Sequence, residues 1–135
     1  MTSLLPTEVL ASSKPFPGPV EALVVRVLDG DTLVADARVW PGQTIRVNVR
    51  IRGIDAPEMK SRCRHEHLAA EKAREALSTM LGEGMIRISN IAGAKYYGRV
   101  LADVETPSGV SVAPALLSAA LVRPYKGGRR KGWCG

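Results

Sequence analysis

Aromatic residues are scarce: one phenylalanine, two tryptophans and three tyrosines in 135 residues. The core must therefore be aliphatic, built from valine, leucine, isoleucine and alanine. No apolar run is long enough to span a bilayer. The N-terminus lacks the apolar block of a signal peptide, because Leu4 and Leu5 are cut off by Pro6 and Glu8. No internal repeat breaks the chain into units. Only two cysteines occur, Cys63 and Cys134, which permits one disulfide and fits either redox compartment.

What is present suits one domain that can bury a core without metals. Hydrophobic residues make up 45% and charged residues 24%, ordinary for a globular protein. The formal net charge of +6 points to a polyanionic partner or an acidic surface, although charge alone does not separate a nucleic-acid binder from a merely basic protein.

Residues 1–19 hold Pro6, Pro15, Pro17 and Pro19, and read as a loose extended arm. Val20–Leu28 and Thr32–Val39 read as strands joined by an Asp29-Gly30 turn. Gln43–Arg52 alternates: Ile45, Val47, Val49 and Ile51 take one face, and Arg46, Asn48, Arg50 and Arg52 the other, wet or functional one. From Glu66 to Leu81 an apolar stripe of Leu68, Ala69, Ala73, Ala76, Leu77, Met80 and Leu81 predicts a helix ended by Gly82. Met85–Ile91 and Arg99–Val104 follow as strands. Val112–Leu121 reads as a short helix with Ser111 at its N-cap and Pro114 in its first turn. The basic, glycine-rich tail, residues 126–135, is expected to be loosely ordered. The order predicts an α+β, mainly β architecture: a five-stranded OB-fold barrel over residues 20–125 with two or three packed helices.

Two acidic clusters flank the alternating strand, Asp29-Gly30-Asp31-Thr32 and Asp55-Ala56-Pro57-Glu58. Tyr96-Tyr97-Gly98-Arg99 follows further on. Phosphodiester hydrolysis places extra negative charge on phosphoryl oxygens, so a site must supply cations and position a water. Asp31 and Asp55 offer oxygen ligands for calcium or magnesium if the barrel brings their strand ends together. Pro57 restricts Ala56 to extended backbone, which would aim the Ala56 carbonyl at the same ion. Glu58 remains to orient a water. Arg50 and Arg99 suit the phosphate, because a planar guanidinium binds two oxygens at once. Each piece alone is an ordinary turn, loop or surface arginine. Their conjunction, in chemically sensible order, carries the signal.

These blocks, Val27 to Thr32, Val49 to Glu58 and Tyr97-Gly98-Arg99, resemble the staphylococcal nuclease (thermonuclease) family over roughly residues 20–125. Ala120 to Tyr125 is similar to the family's segment after its second helix. The resemblance implies an OB-fold and a calcium-dependent, sugar-nonspecific nuclease that cuts DNA and RNA and leaves 3′-phosphate ends. It implies Asp31, Asp55 and the Ala56 carbonyl as calcium ligands. Arg50 and Arg99 fall on the catalytic arginines, Glu58 on the carboxylate assigned to the attacking water, and Tyr97 and Tyr125 on tyrosines near the bound nucleotide. Tyr96 stands where the founding member has a phosphate-touching lysine, and the chain stops short of that member's long C-terminal helix. A rival from another class is a non-catalytic OB-fold module that binds single-stranded nucleic acid. A monomer without membrane contact is expected.

Cys63, His65 and His67 lie close in sequence. A Cys63–Cys134 disulfide is preferred over free thiols, and both over zinc, whose usual ligand spacings are not matched. A disulfide would contribute about 2–4 kcal/mol and would favour an oxidising compartment, periplasmic or secreted, over the cytoplasm. Lys126, Arg129, Arg130 and Lys131 could follow a phosphate backbone, with Trp133 stacking on a base. A merely solvated tail is the equal alternative.

Overall fold

The computed structural model describes residues 14–93 and 98–134. The expected loose arm is described only from Lys14, and Tyr96 and Tyr97 lie outside the described residues.

Strands β1 (Val20–Asp29), β2 (Thr32–Trp40) and β3 (Gln43–Ile51) form an antiparallel meander. Their valine, isoleucine and threonine content favours a pleated, half-buried surface. Strands β5 (Met85–Gly93) and β6 (Arg99–Glu105) complete a closed barrel in the order β1-β2-β3-β6-β5. The β3·β6 pairing is parallel and the others antiparallel. Irregular register in β1, between Val24 and Arg26 and between Val27 and Asp29, marks where that strand bends. The architecture is the mainly β, OB-like barrel expected. Two short strands escaped prediction: β4 (Ile54–Asp55) pairs antiparallel with β7 (Arg123–Pro124) outside the barrel.

The hydrophobic core is aliphatic. Leu33, Val49, Ile51, Ile54, Ile86 and Ile88 are all essentially buried. Each such side chain stabilises the fold by roughly 1.5–3 kcal/mol relative to exposure. The alternation read in β3 holds for Val49 and Ile51 but fails at Ile45, which is 53% exposed. The cause is barrel height: β6 pairs only with Asn48–Ile51, so the rest of β3 has β2 alone as its neighbour.

Helix α1 (Arg64–Leu81) starts two residues earlier than predicted and packs on β1. Ala70, Ala73, Leu77 and Leu81 form its buried line, whereas Leu68, assigned to the apolar stripe, is half exposed. Helix α2 (Val112–Ser118) is shorter than predicted, and Ser111 at its N-cap makes no side-chain capping bond. Among the described residues no helix is long and apolar enough to cross a membrane.

Two expectations of looseness are corrected. Phe16 exchanges backbone hydrogen bonds of 2.8 Å with Ile91, and Asn90 N–H donates to the Pro17 carbonyl at 3.0 Å, so this part of the arm lies along β5. The tail is likewise held. Cys63 and Cys134 are joined in a disulfide with their Cα atoms 6.1 Å apart. With both sulfurs in that bond, neither is a free thiol or available to zinc. Arg123 donates to the Gly132 carbonyl at 3.0 Å and lies 3.7 Å over the Trp133 ring. That ring face is therefore covered by Arg123 rather than open to a base.

Candidate active site

The β1–β2 turn and β4 bring the two acidic clusters together at one end of the barrel. The ladder sets Thr32 opposite Arg50, and Ile51 N–H donates to the Asp31 carbonyl at 2.8 Å. Beyond β3 the chain turns through Gly53, whose φ of +88° is one that side-chain-bearing residues avoid. It then enters β4, so Asp55 and Ala56 arrive beside Asp31. Ala56 N–H donates to Asp31 Oδ2 at 2.8 Å, and Thr32 Oγ1–H to Asp31 Oδ1 at 2.8 Å.

The turn itself holds a correction. Asp-Gly was read as a conformational signal, yet Gly30 has no left-handed φ. Its requirement is space: a Cβ built there would lie 2.7 Å from Ala73 Cβ and 3.1 Å from Ala56 Cβ. Gly30 lets helix α1 press against both acidic loops.

Asp31 and Asp55 are only 6% and 4% exposed. Carboxylates buried to that degree need opposite charge and hydrogen bonds. Arg50 supplies both, with Nη1 at 2.5 Å from Asp31 Oδ2 and Nη2 at 3.7 Å from Asp55 Oδ1. Its Nη2 also donates to the Ile54 carbonyl at 3.1 Å, and its guanidinium lies 5.7 Å from the centre of the Tyr125 ring. Tyr125 is placed by its own N–H donating to the Gly53 carbonyl at 2.9 Å, next to the β4·β7 pair.

Asp31, Arg50, Asp55, Ala56, Glu58, Arg99 and Tyr125 line one cleft of about 620 Å³. Thus the predicted site residues among those described, apart from the cysteine pair, converge. Arg52 does not join them. It bridges strands instead, with Nη2 donating to the Asn90 carbonyl at 2.6 Å and Nη1 lying 3.2 Å from Asp103. A second cleft of similar volume is lined mainly by Phe16, Val39, Ile45, Ile88 and Val100, and its charged residues, Glu21 and Arg38, pair with each other.

Three further residues shape the acidic cleft. Asp29 lines it, and its pKa is raised, first by burial and then by the charges of Asp31 and Glu58. Glu66, buried in the first turn of α1, accepts from Glu58 N–H at 2.8 Å and from Ser61 Oγ–H at 2.9 Å. It therefore fixes the loop that carries Glu58. The sequence pattern marked Glu66 only as the start of the helix and assigned it no role at the site. Arg130 reaches in from the tail: Nε donates to Asp55 Oδ1 at 2.7 Å, Nη2 to the Ala56 carbonyl at 3.0 Å, and Nη1 to Glu58. Burial opposes its charge, but the hydrogen bonds to Asp55 and Glu58 outweigh that and hold its pKa above the ordinary value.

The donor set is entirely oxygen: two buried carboxylates and a carbonyl, with a third carboxylate beside them. It already draws in two guanidinium groups as positive charge, so it fits a hard divalent cation. The model of the family described as staphylococcal nuclease homologue matches residues 48–131, a stretch that includes Arg50, Asp55, Glu58, Arg99 and Arg130. No curated protein matches the chain.

Proposed function

From its membership of the staphylococcal nuclease homologue family, we propose that this chain is a calcium-dependent, sugar-nonspecific nuclease that hydrolyses phosphodiester bonds of DNA and RNA. The observation that carries the reading is the convergence of Asp31, Asp55, Glu58, Arg50 and Arg99 on one cleft.

Asp31, Asp55 and the Ala56 carbonyl would hold the cation. When bound, calcium supplies Lewis-acid polarisation of a phosphoryl oxygen. The chain's own groups do the remaining work. Glu58, exposed at the rim of the cleft and fixed through Glu66, accepts a proton of the attacking water at a carboxylate oxygen and orients it. Arg50 and Arg99 bind the non-bridging oxygens and offset the charge that grows on them. Arg50 is pre-oriented by Asp31 and the Ile54 carbonyl, which lowers the cost of holding it in place. Tyr125 borders the cleft where a nucleotide would lie. Recognition through phosphate carries no base information, so sequence preference is expected to be weak.

Cleavage of denatured DNA and of RNA, with calcium and with chelator, tests this. Arg50→Ala and Glu58→Gln should each lower the rate by about 10²-fold or more, while the proteins keep their cooperative melting. A folded wild-type protein that binds single strands but cuts nothing with any divalent ion would make it a binding module instead.

A further inference from the structure

The tail places a guanidinium on the same oxygens that would hold the cation. Arg130 contacts Asp55 Oδ1 and the Ala56 carbonyl, two of the three proposed ligands, and Glu58, the proposed water carboxylate. Each of its nitrogens donates to one of these groups, so its whole fork is directed at the protein's own oxygens. The segment that delivers it is built for the purpose. Gly127 and Gly128 turn the chain back with φ of +96° and +81°. Tyr125 Oη–H donates to the Gly128 carbonyl at 2.6 Å. Arg123 grips Gly132 and Trp133, and the Cys63–Cys134 bond pins the far end beside the loop that carries Glu58. Yet Arg130 keeps 37% of its side chain exposed, so it can leave without opening the core.

We infer that Arg130 is a tethered internal competitor for the divalent cation, and that the disulfide sets how strongly it competes. This rests on the reading of Asp31, Asp55 and Ala56 as the cation site. A protein whose binding-competent state is only partly populated binds its ligand with the intrinsic affinity multiplied by that fraction. Tethering raises the local concentration of the competing group, and cutting the tether lowers it. Calcium binding therefore expels Arg130, and reduction of the tail bond favours the calcium-loaded form.

The test is calorimetric titration of calcium alone into the full chain at low ionic strength. The proteins are wild type, Arg130→Ala, Cys63→Ser/Cys134→Ser and Asp55→Asn. Arg130→Ala should bind calcium about tenfold more tightly than wild type, as expected if Arg130 holds the site about nine-tenths of the time. The cysteine variant should shift the same way by less, and Asp55→Asn should lose binding. Equal or weaker affinity in Arg130→Ala, with binding still lost in Asp55→Asn, would overturn the competition and leave the cation site standing. Absence of calcium binding in wild type and Arg130→Ala alike would overturn the site and the inference together.

Discussion

Removing the Cys63–Cys134 bond should cost more stability than any single side chain on the surface. The two cysteines are 71 residues apart. The chain-entropy relation for a closed loop of that length gives about 4.4 kcal/mol at 25 °C. Spread over 135 residues, an unfolding entropy of about 2.1 cal/mol/K per residue converts this into a fall in Tm of about 15 °C. Serine is the right replacement at position 63. Cys63 is the N-cap of α1, its sulfur accepting from Glu66 N–H at 3.3 Å, and a serine keeps that cap. The assay is calorimetric melting of Cys63→Ser/Cys134→Ser beside wild type, checked for reversibility and for agreement of calorimetric and van't Hoff enthalpies. Arg130→Ala in the oxidised protein separates two contributions, since it keeps the cross-link and loses only the tail's ion pairs. Its Tm should fall much less. A drop under about 4 °C in the double variant, about 1 kcal/mol, would refute the reasoning, because the loop would then not be restricting the unfolded chain.

Gly30→Ala should destabilise the protein by about 1–3 kcal/mol through overpacking against Ala73, and should weaken calcium binding by pushing the Asp31 turn off α1. Adding Ala73→Gly should recover part of the loss in melting temperature despite its own helix cost, which a contact-free account of Gly30 would not produce. Asp36, partly exposed and bidentate to Arg46 across β2 and β3, has its pKa lowered by the hydrogen bonds from Arg46. Because the folded value lies below the unfolded one, its stabilisation is present above the unfolded pKa of about 3.9 and is lost as pH falls through the folded value. Asp36→Asn should therefore lower Tm slightly at pH 7 in low salt, and the difference from wild type should vanish in strong acid and shrink in salt.

Much of this architecture was readable from local pattern. The Asp29-Gly30 turn signal between two aliphatic strands and the alternation in Gln43–Arg52 named the meander, and a helical period named α1. Alternation assigns faces but not barrel height, which is why Ile45 was misplaced in the core. Two-residue strands such as β4 and β7 have no period to read, so the ribbon that seats Tyr125 beside Gly53 stayed hidden. The acidic clusters and Arg50 were visible because each sits in a short block of distinctive residues. Glu66 and Arg130 were not, because a charge in a helix or a glycine-rich tail is usually solvated. The overlooked clue to Arg130 was Cys134, four residues on. A tail bonded to Cys63 must carry its basic residues past the loop holding Glu58.

The closed barrel has a further consequence, for how the protein behaves in company. Every barrel strand has a neighbour on each side for at least part of its length, which leaves little free edge to recruit other chains. The seam is narrow: the parallel β3·β6 ladder pairs only four residues, Asn48 to Ile51, with Arg99 to Ala102. Opening it would turn β3 and β6 into edges at once. Arg50 and Arg99 both lie on that seam. The seam that carries Arg50 and Arg99, the two arginines proposed to bind phosphate, is thus also a latch against self-association. Substitutions there should be judged by aggregation at working concentration as well as by activity.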